Sequence, residues 1–135
     1  MKKLFLDTNV VIDLLDKREG FYKAAVSLFV LAYQKRVKLF VSPMTYATAA
    51  YLLRKHGDKQ VRVLLRNLRQ LSKVTTANEI VIDDSLASSF NDYEDALQYY
   101  SAMKHKVDCI ITRNVKDFAP STIPVLTPDE YLSMN

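Results

Sequence analysis

Short apolar runs alternate along the chain with longer amphipathic stretches. "KKLFLD" (residues 2–7) has the length and unbroken apolar centre of a buried strand, and it ends on Asp7. "NVVIDLLDK" then fits one or two helical turns, and "GFYKAAVSLFVLAYQKR" a longer amphipathic helix. "VKLFVS" predicts a second strand. Ser42 and Pro43 are a good helix entry, one a capping side chain and the other a ring preset for the first turn. That helix, "SPMTYATAAYLLRKHG", is closed by Gly57, and Asp58 is placed to cap the next, "KQVRVLLRNLRQL". In the latter, Val61, Leu64, Leu65, Leu68 and Leu71 form an apolar stripe, with Arg62, Arg66 and Arg69 on another face. "KVTTA" predicts a third, weaker strand, and "EIVIDDSLASSF" and "DYEDALQYYSAMKHK" two helices broken near Asn91. "VDCIITRN" reads as a strong buried strand and "IPVLT" as a short last one. In the closing "TPDEYL", Thr127, Pro128 and Glu130 spell a capping box.

Strands separated by helical segments need crossover connections, so the expected architecture is α/β, a parallel sheet with helices on both faces. No repeat, low-complexity tract or linker interrupts the 135 residues, which are expected to form one domain, 1–135. An apolar fraction of 49% is enough for a core without disulfides, and the lone Cys109 permits none. Cys109, inside "CIIT", reads as a buried small hydrophobe and suits a reducing cytoplasm. No run approaches the ~18–20 apolar residues of a membrane span. The opening "MKKLFLDTN" breaks at Asp7, too early for a secretory segment, so a soluble, unprocessed protein is expected.

The net charge of +4 says less than its distribution. From Arg54 to Lys73 seven basic residues face one acid, Asp58, whereas six acids and no base lie between Glu79 and Asp95. This suits either a phosphate-facing stripe beside an acidic patch or two solvated helix faces. Charge counting favours the second.

Ligands of an open parallel sheet bind beyond the carboxyl ends of its strands. Asp7 lies at such an end, and "TRNVKDF" puts Thr112, Asn114 and Asp117 at another. Asp92 and Asp95, spaced i, i+3, share a helix face just before that strand. If their helix starts at the same rim, three or four carboxylates converge. Repulsion would raise some of their pKa values unless a cation sits among them. Oxygen donors without cysteine or paired histidines favour Mg²⁺ or Mn²⁺ over zinc. His56 and His105 read as surface residues, Asp13, Asp16, Asp83 and Asp84 as solvent-facing, and Asp108 as lying at the wrong end of the sheet. Thr8 and Asn9 suit a helix cap, and the helix dipole accounts for Glu94.

Taken together, "LFLDTNVVIDLL", "DYEDALQYYSA" and "CIITRNVKDF", in this order, resemble a PIN domain over essentially the whole chain, and in particular the small toxin members of VapBC-type toxin–antitoxin pairs. The resemblance implies a three-layer α/β/α sandwich with a central parallel sheet, Mg²⁺- or Mn²⁺-dependent cleavage of RNA, dimerisation, and a small antitoxin that blocks the site. Carried over, Asp7 matches the first acid and Asp95 the acid of the "DAL" helix. Asn114 stands where many members have aspartate, Asp117 is the acid that remains, and Thr112 matches a supporting hydroxyl. Asp7, Asp95 and Asp117 are thus the expected metal ligands.

One position departs from the pattern. The family usually carries a glutamate in the helix after the second strand, three residues beyond a threonine. Here that position is Thr48, and no acid lies between Ser42 and His56. The alternative is therefore a PIN-like module that binds RNA or protein with weakened or lost catalysis. A haloacid-dehalogenase reading fails because Asn9 stands where its second acid belongs, and a receiver reading fails because neither middle strand ends in aspartate.

Overall fold

A computed structural model of the chain describes residues 1–134. Its centre is a sheet of β1 (Lys2–Leu6), β2 (Val37–Val41), β3 (Ser72–Val74), β4 (Cys109–Ile111) and β5 (Val125–Leu126). All pairings are parallel, in the order β3-β2-β1-β4-β5. Leu4, Phe5 and Leu6 lose all contact with solvent, each worth about 1.5–3 kcal/mol of apolar burial.

Helices α1 (Thr8–Leu15) and α2 (Tyr22–Tyr33) link β1 to β2, and α3 (Pro43–Leu52) and α4 (Asp58–Gln70) link β2 to β3. One face of the sheet packs against Val10, Val11, Ala25, Leu28, Phe29 and Leu68 from these helices. The chain then crosses through α5 (Glu79–Leu86) and α6 (Tyr93–Met103), and the other face carries Phe5, Phe40, Tyr99, Ala102 and Ile110. Helix α7 (Pro128–Ser133) returns to the first face through Tyr131 and starts with the expected capping box of Thr127 and Glu130. The result is the three-layer α/β/α sandwich. Because the chain winds outward from β1 to β3 and resumes at β4 on β1's other side, its direction reverses between β1 and β4. Such a reversal opens a crevice at the strands' carboxyl ends.

Local differences from the sequence reading have identifiable causes. The first helix is capped by Asp7 itself rather than by Thr8 or Asn9, its carboxylate accepting the Thr8 N–H. Helix α3 stops at Leu52, a 3-10 turn (Arg54–His56) follows, and Gly57, at φ 86°, rather than Asp58 occupies the cap of α4. The Asp58 carboxylate instead accepts from Arg62 one turn on. Helix α5 ends at Leu86 instead of reaching Phe90, where the Ser85 and Ser88 hydroxyls turn back onto the carbonyls of Val81 and Ser85. Cys109 is buried as expected, and burial pushes its thiol up to about 11. Asp108 lies at the amino end of β4, its carboxylate accepting the Lys3 N–H.

Three residues read as exposed are not. Asp16 is half-buried, its carboxylate paired with Lys55 at 3.2 Å. His105 is half-buried, its Nε2 accepting the Thr76 N–H at 2.9 Å while its ring lies against Phe40. Asp13 is 1% exposed, because α1 turns it toward the segment after β4. There Arg113 donates to both its oxygens, at 2.8 and 3.2 Å. No helix among the described residues is long and apolar enough to cross a membrane.

Candidate active site

The Asp7 N–H bonds to the Ile111 carbonyl at 2.9 Å, so the β1–β4 ladder closes at the two strand ends. Asp7 and Thr112 therefore sit side by side at the point of reversal. The Thr112 hydroxyl donates to Asp7 Oδ2 at 2.8 Å, and the amide of Asn9 reaches both of them at 3.4 Å. The other carboxylate oxygen, Oδ1, accepts the Thr8 N–H at 2.9 Å and the Gln98 amide at 3.3 Å. Asp7 keeps only 7% of its surface. Burial raises its pKa, the bonds from Thr112, Gln98 and the Thr8 N–H oppose the rise, and the charge of Asp117 adds to it.

Asp95 approaches from α6. Asp92 caps that helix by accepting the Asp95 N–H, which places Asp95 in the first turn, at the rim. Its pKa is raised to about 7, first by burial and then by the charges of Asp7, Asp92 and Asp117. Near neutral pH the Asp95 carboxyl therefore sits close to its midpoint. The fold has gathered negative charge here.

Asp7 and Asp95 line a cleft of about 460 Å³ together with Thr8, Asn9, Thr48, Glu94, Gln98, Asn114 and Arg18. Thr48 thus faces the cleft from α3, in the place where the sequence pattern lacks an acid. Asp117 stands apart, exposed in the 3-10 turn Val115–Phe118. It lines a neighbouring hollow with Asn114 and Lys116, within electrostatic range of Asp7 and Asp95. Asp92 is exposed and committed to its cap.

The sequence reading missed Gln98, Arg18 and the cleft-facing role of Glu94. Gln98 is buried three residues beyond Asp95, on the same helix face, and that spacing was its one visible signal. Its amide donates to Asp7, Thr8 and Thr45, at 3.3, 3.1 and 3.0 Å, and its oxygen accepts the Ser42 hydroxyl. One side chain thus ties β1, the starts of α1 and α3, and α6 together. Among the described residues, Arg18 is the only cationic one lining the cleft.

The donor set suits a hard cation, since carboxylates, hydroxyls and amides line the cleft and, among the described residues, no thiol or imidazole does. Among the described residues no three His, Cys, Asp or Glu side chains gather into a ready-made cage.

A parallel sheet covered on both faces, with acids at its point of reversal, places the chain among the doubly wound α/β proteins. The chain belongs to the PIN domain family, whose model matches residues 3–116. It is 26% identical to Ribonuclease VapC1 of Aquifex aeolicus (strain VF5), over 96% of this chain and 93% of the relative. Among solved structures, it superposes with a TM-score of 0.68 on a chain of a toxin–antitoxin complex from Klebsiella pneumoniae, 26% identical, covering 93% of this chain and 97% of that one. A chain of VapBC-1 from nontypeable Haemophilus influenzae shares the fold, with a TM-score of 0.66 at 18% identity over 94% and 98% of the two chains.

Proposed function

We propose that this protein is a divalent-cation-dependent endoribonuclease, hydrolysing RNA phosphodiester bonds at the Asp7–Asp95 cleft. The observation that carries the reading is the convergence of these two carboxylates on one cleft at the β1–β4 reversal, with Asp95 raised to about 7 first by burial and then by the charges of Asp7, Asp92 and Asp117. Asp7 and Asp95, with Asp117 at the rim, would hold Mg²⁺ or Mn²⁺. Such an ion acts as a Lewis acid toward phosphoryl oxygen and lowers the pKa of bound water. The chain's own residues orient the site. Thr112, Gln98 and the Thr8 N–H hold the Asp7 carboxylate, Asn114 adds an amide donor, and Arg18 gives the cleft wall a positive group for substrate phosphate.

The toxin–antitoxin relatives support a toxin role with a small antitoxin protein as partner; a homodimer as the assembly and the cytoplasm as the place of action complete the proposal. We read residues 1–135 as a single domain. A second reading, a PIN module with weakened catalysis, is favoured by Thr48 lining the cleft where the family usually has an acid.

The test is cleavage of a panel of structured RNAs in Mg²⁺, Mn²⁺ or EDTA, with Asp7→Asn as control. Cleavage that needs the cation and is lost in Asp7→Asn is expected. Binding without cleavage under every condition would select the second reading, and cleavage unchanged in Asp7→Asn would eliminate this site.

A further inference from the structure

The cleft has walls of two kinds. Helices α3 and α6 belong to opposite layers, yet they meet over the carboxyl end of β1. There Gln98 donates to Thr45 at 3.0 Å and accepts the Ser42 hydroxyl. Asp7, Thr45 and Gln98 thus make a floor whose polar groups are bonded to one another. Above it, α6 contributes Glu94, Asp95 and Leu97, and α3 contributes Met44, Ala47, Thr48 and Leu52. Spaced by three and four positions, these α3 residues lie along one helix face. Apart from Thr48 that face is apolar, and Ile12 of α1 continues it. Leu52 is 40% exposed, a large apolar side chain held open to the cleft.

The hydroxyls divide in the same way. Those of Thr8 and Thr45 share a hydrogen bond at 2.7 Å, and both accept from Gln98. The hydroxyl of Thr48, one turn further along α3 than Thr45, has no hydrogen-bond partner among the described residues. An uncommitted hydroxyl therefore stands in an apolar wall, in the same cavity as the carboxylates.

Phosphate and ribose make no use of an apolar wall. The part of a nucleotide with apolar faces and polar edges is the base. We propose that the α3 wall is the nucleobase subsite of the cleft. The base next to the scissile phosphate lies on Met44, Ala47 and Leu52, and the Thr48 hydroxyl hydrogen-bonds to its edge. A hydroxyl both donates and accepts, so it can meet a ring nitrogen, an exocyclic amine or a carbonyl. An acid at position 48 would set a charge against the base, whereas threonine keeps the wall neutral. An apolar side chain of a protein partner would also cover the wall, but it would leave the Thr48 hydroxyl without a partner. The position of the scissile phosphate, at Asp7 and Asp95, rests on the ribonuclease reading; the two-sided cleft does not.

The test compares ligands that differ only in the base. The four nucleoside 3′,5′-bisphosphates, which carry a phosphate on either side of the sugar, and the abasic ribose bisphosphate are titrated in Mg²⁺ into isotope-labelled protein. Affinities are read from amide chemical shifts by NMR. At least one nucleotide should bind about fivefold or more tighter than the abasic compound, the scale of one hydrogen bond with apolar contact. Thr48→Val should weaken the favoured nucleotide by roughly threefold or more, as for one lost hydrogen bond. Leu52→Ser should weaken all four nucleotides. Neither variant should alter binding of the abasic compound, and circular dichroism checks that both fold. Equal affinity for nucleotides and the abasic compound, or binding of neither, would overturn the proposal and leave the wall to an apolar side chain of a protein partner. A base preference unchanged in both variants would also overturn it, as would an equal loss for the abasic compound. RNA left uncut in the nuclease assay, with the base preference intact, would instead strike only the ribonuclease reading.

Discussion

Replacing Arg113 by methionine keeps most of the side-chain stem and removes the charge that neutralises Asp13. The guanidinium makes two hydrogen bonds to the Asp13 carboxylate, at 2.8 and 3.2 Å, and lies 4.0 Å over the Phe21 ring. Breaking a buried ion pair from one side costs about 3–5 kcal/mol. Arg113 keeps 26% of its side-chain surface, which moves the figure toward about 2–3 kcal/mol. The lost contact with Phe21 adds roughly 0.5–1 kcal/mol. Arg113→Met should therefore lower the urea-derived stability by about 3 kcal/mol, and Tm by about 10 °C for a domain of this size.

The two partners are unequal. Asp13, 1% exposed, has no route to water, whereas Arg113 can swing outward, so Asp13→Leu should cost less than Arg113→Met. The double variant Asp13→Leu/Arg113→Met should recover most of the loss, since an apolar pair of similar volume needs no solvation. The effect also depends on pH. Burial already raises the Asp13 pKa and Arg113 opposes that rise, so without Arg113 it climbs further. A group whose folded pKa exceeds its unfolded value destabilises as pH rises through that window. The Arg113→Met deficit should thus be small near pH 4, about the unfolded aspartate value, and grow toward neutrality. Two single-variant costs that simply add in the double, or a deficit independent of pH, would refute this account of the pair.

Asp95, raised to about 7, should make the protein less stable as pH climbs from its unfolded value, about 3.9, through 7. Asp95→Asn in EDTA should accordingly raise the urea midpoint at pH 8 relative to wild type and not at pH 4, and an equal shift at both would contradict the charge clustering. Thr48→Glu should tighten Mn²⁺ binding by calorimetry, because Thr48 lines the cleft, and no gain would mean that the new carboxylate does not reach the ion. Gln98→Leu should cost about 1–3 kcal/mol in urea denaturation, since the buried Asp7 carboxylate and the Ser42 hydroxyl both lose a partner; a loss below about 0.5 kcal/mol would show the network to be dispensable.

The parts of the fold legible in the sequence were those governed by local chemistry. Ser42 with Pro43, and Thr127 with Glu130, start helices where their side chains require it. The run from Leu4 to Leu6 could only be a buried strand once it was too short for a helix. The neighbourhood of Asp7, Asp95 and Asn114 was also legible, because strand ends in a parallel sheet share a rim. Pairings decided by distant partners were not. Asp13 on an amphipathic helix looks solvated until Arg113, 100 residues later, is known to meet it. His105 looks like a frayed helix end until Thr76 reaches it, and Gln98 like an ordinary helical polar residue until four neighbours converge on it. The basic stripe of α4 resolved only in part. Arg62 is engaged by Asp58 next to it, and Arg69 donates to the Ser72 carbonyl at 3.1 Å.

The hydrogen bond from Thr112 to Asp7 joins residues 105 positions apart. During synthesis, Thr112 is made 105 residues after Asp7, and the chain emerges at roughly 5–20 residues per second. Until β4 docks beside β1, Asp7 has neither the Thr112 hydroxyl nor Arg113 and Asn114 at its rim. A nascent or truncated chain ending before residue 109 therefore has no assembled cleft, however well its amino-terminal half is folded. Competence is reached only once β4 and the residues after it have been made, which gives any partner that covers the cleft a defined moment from which it is needed.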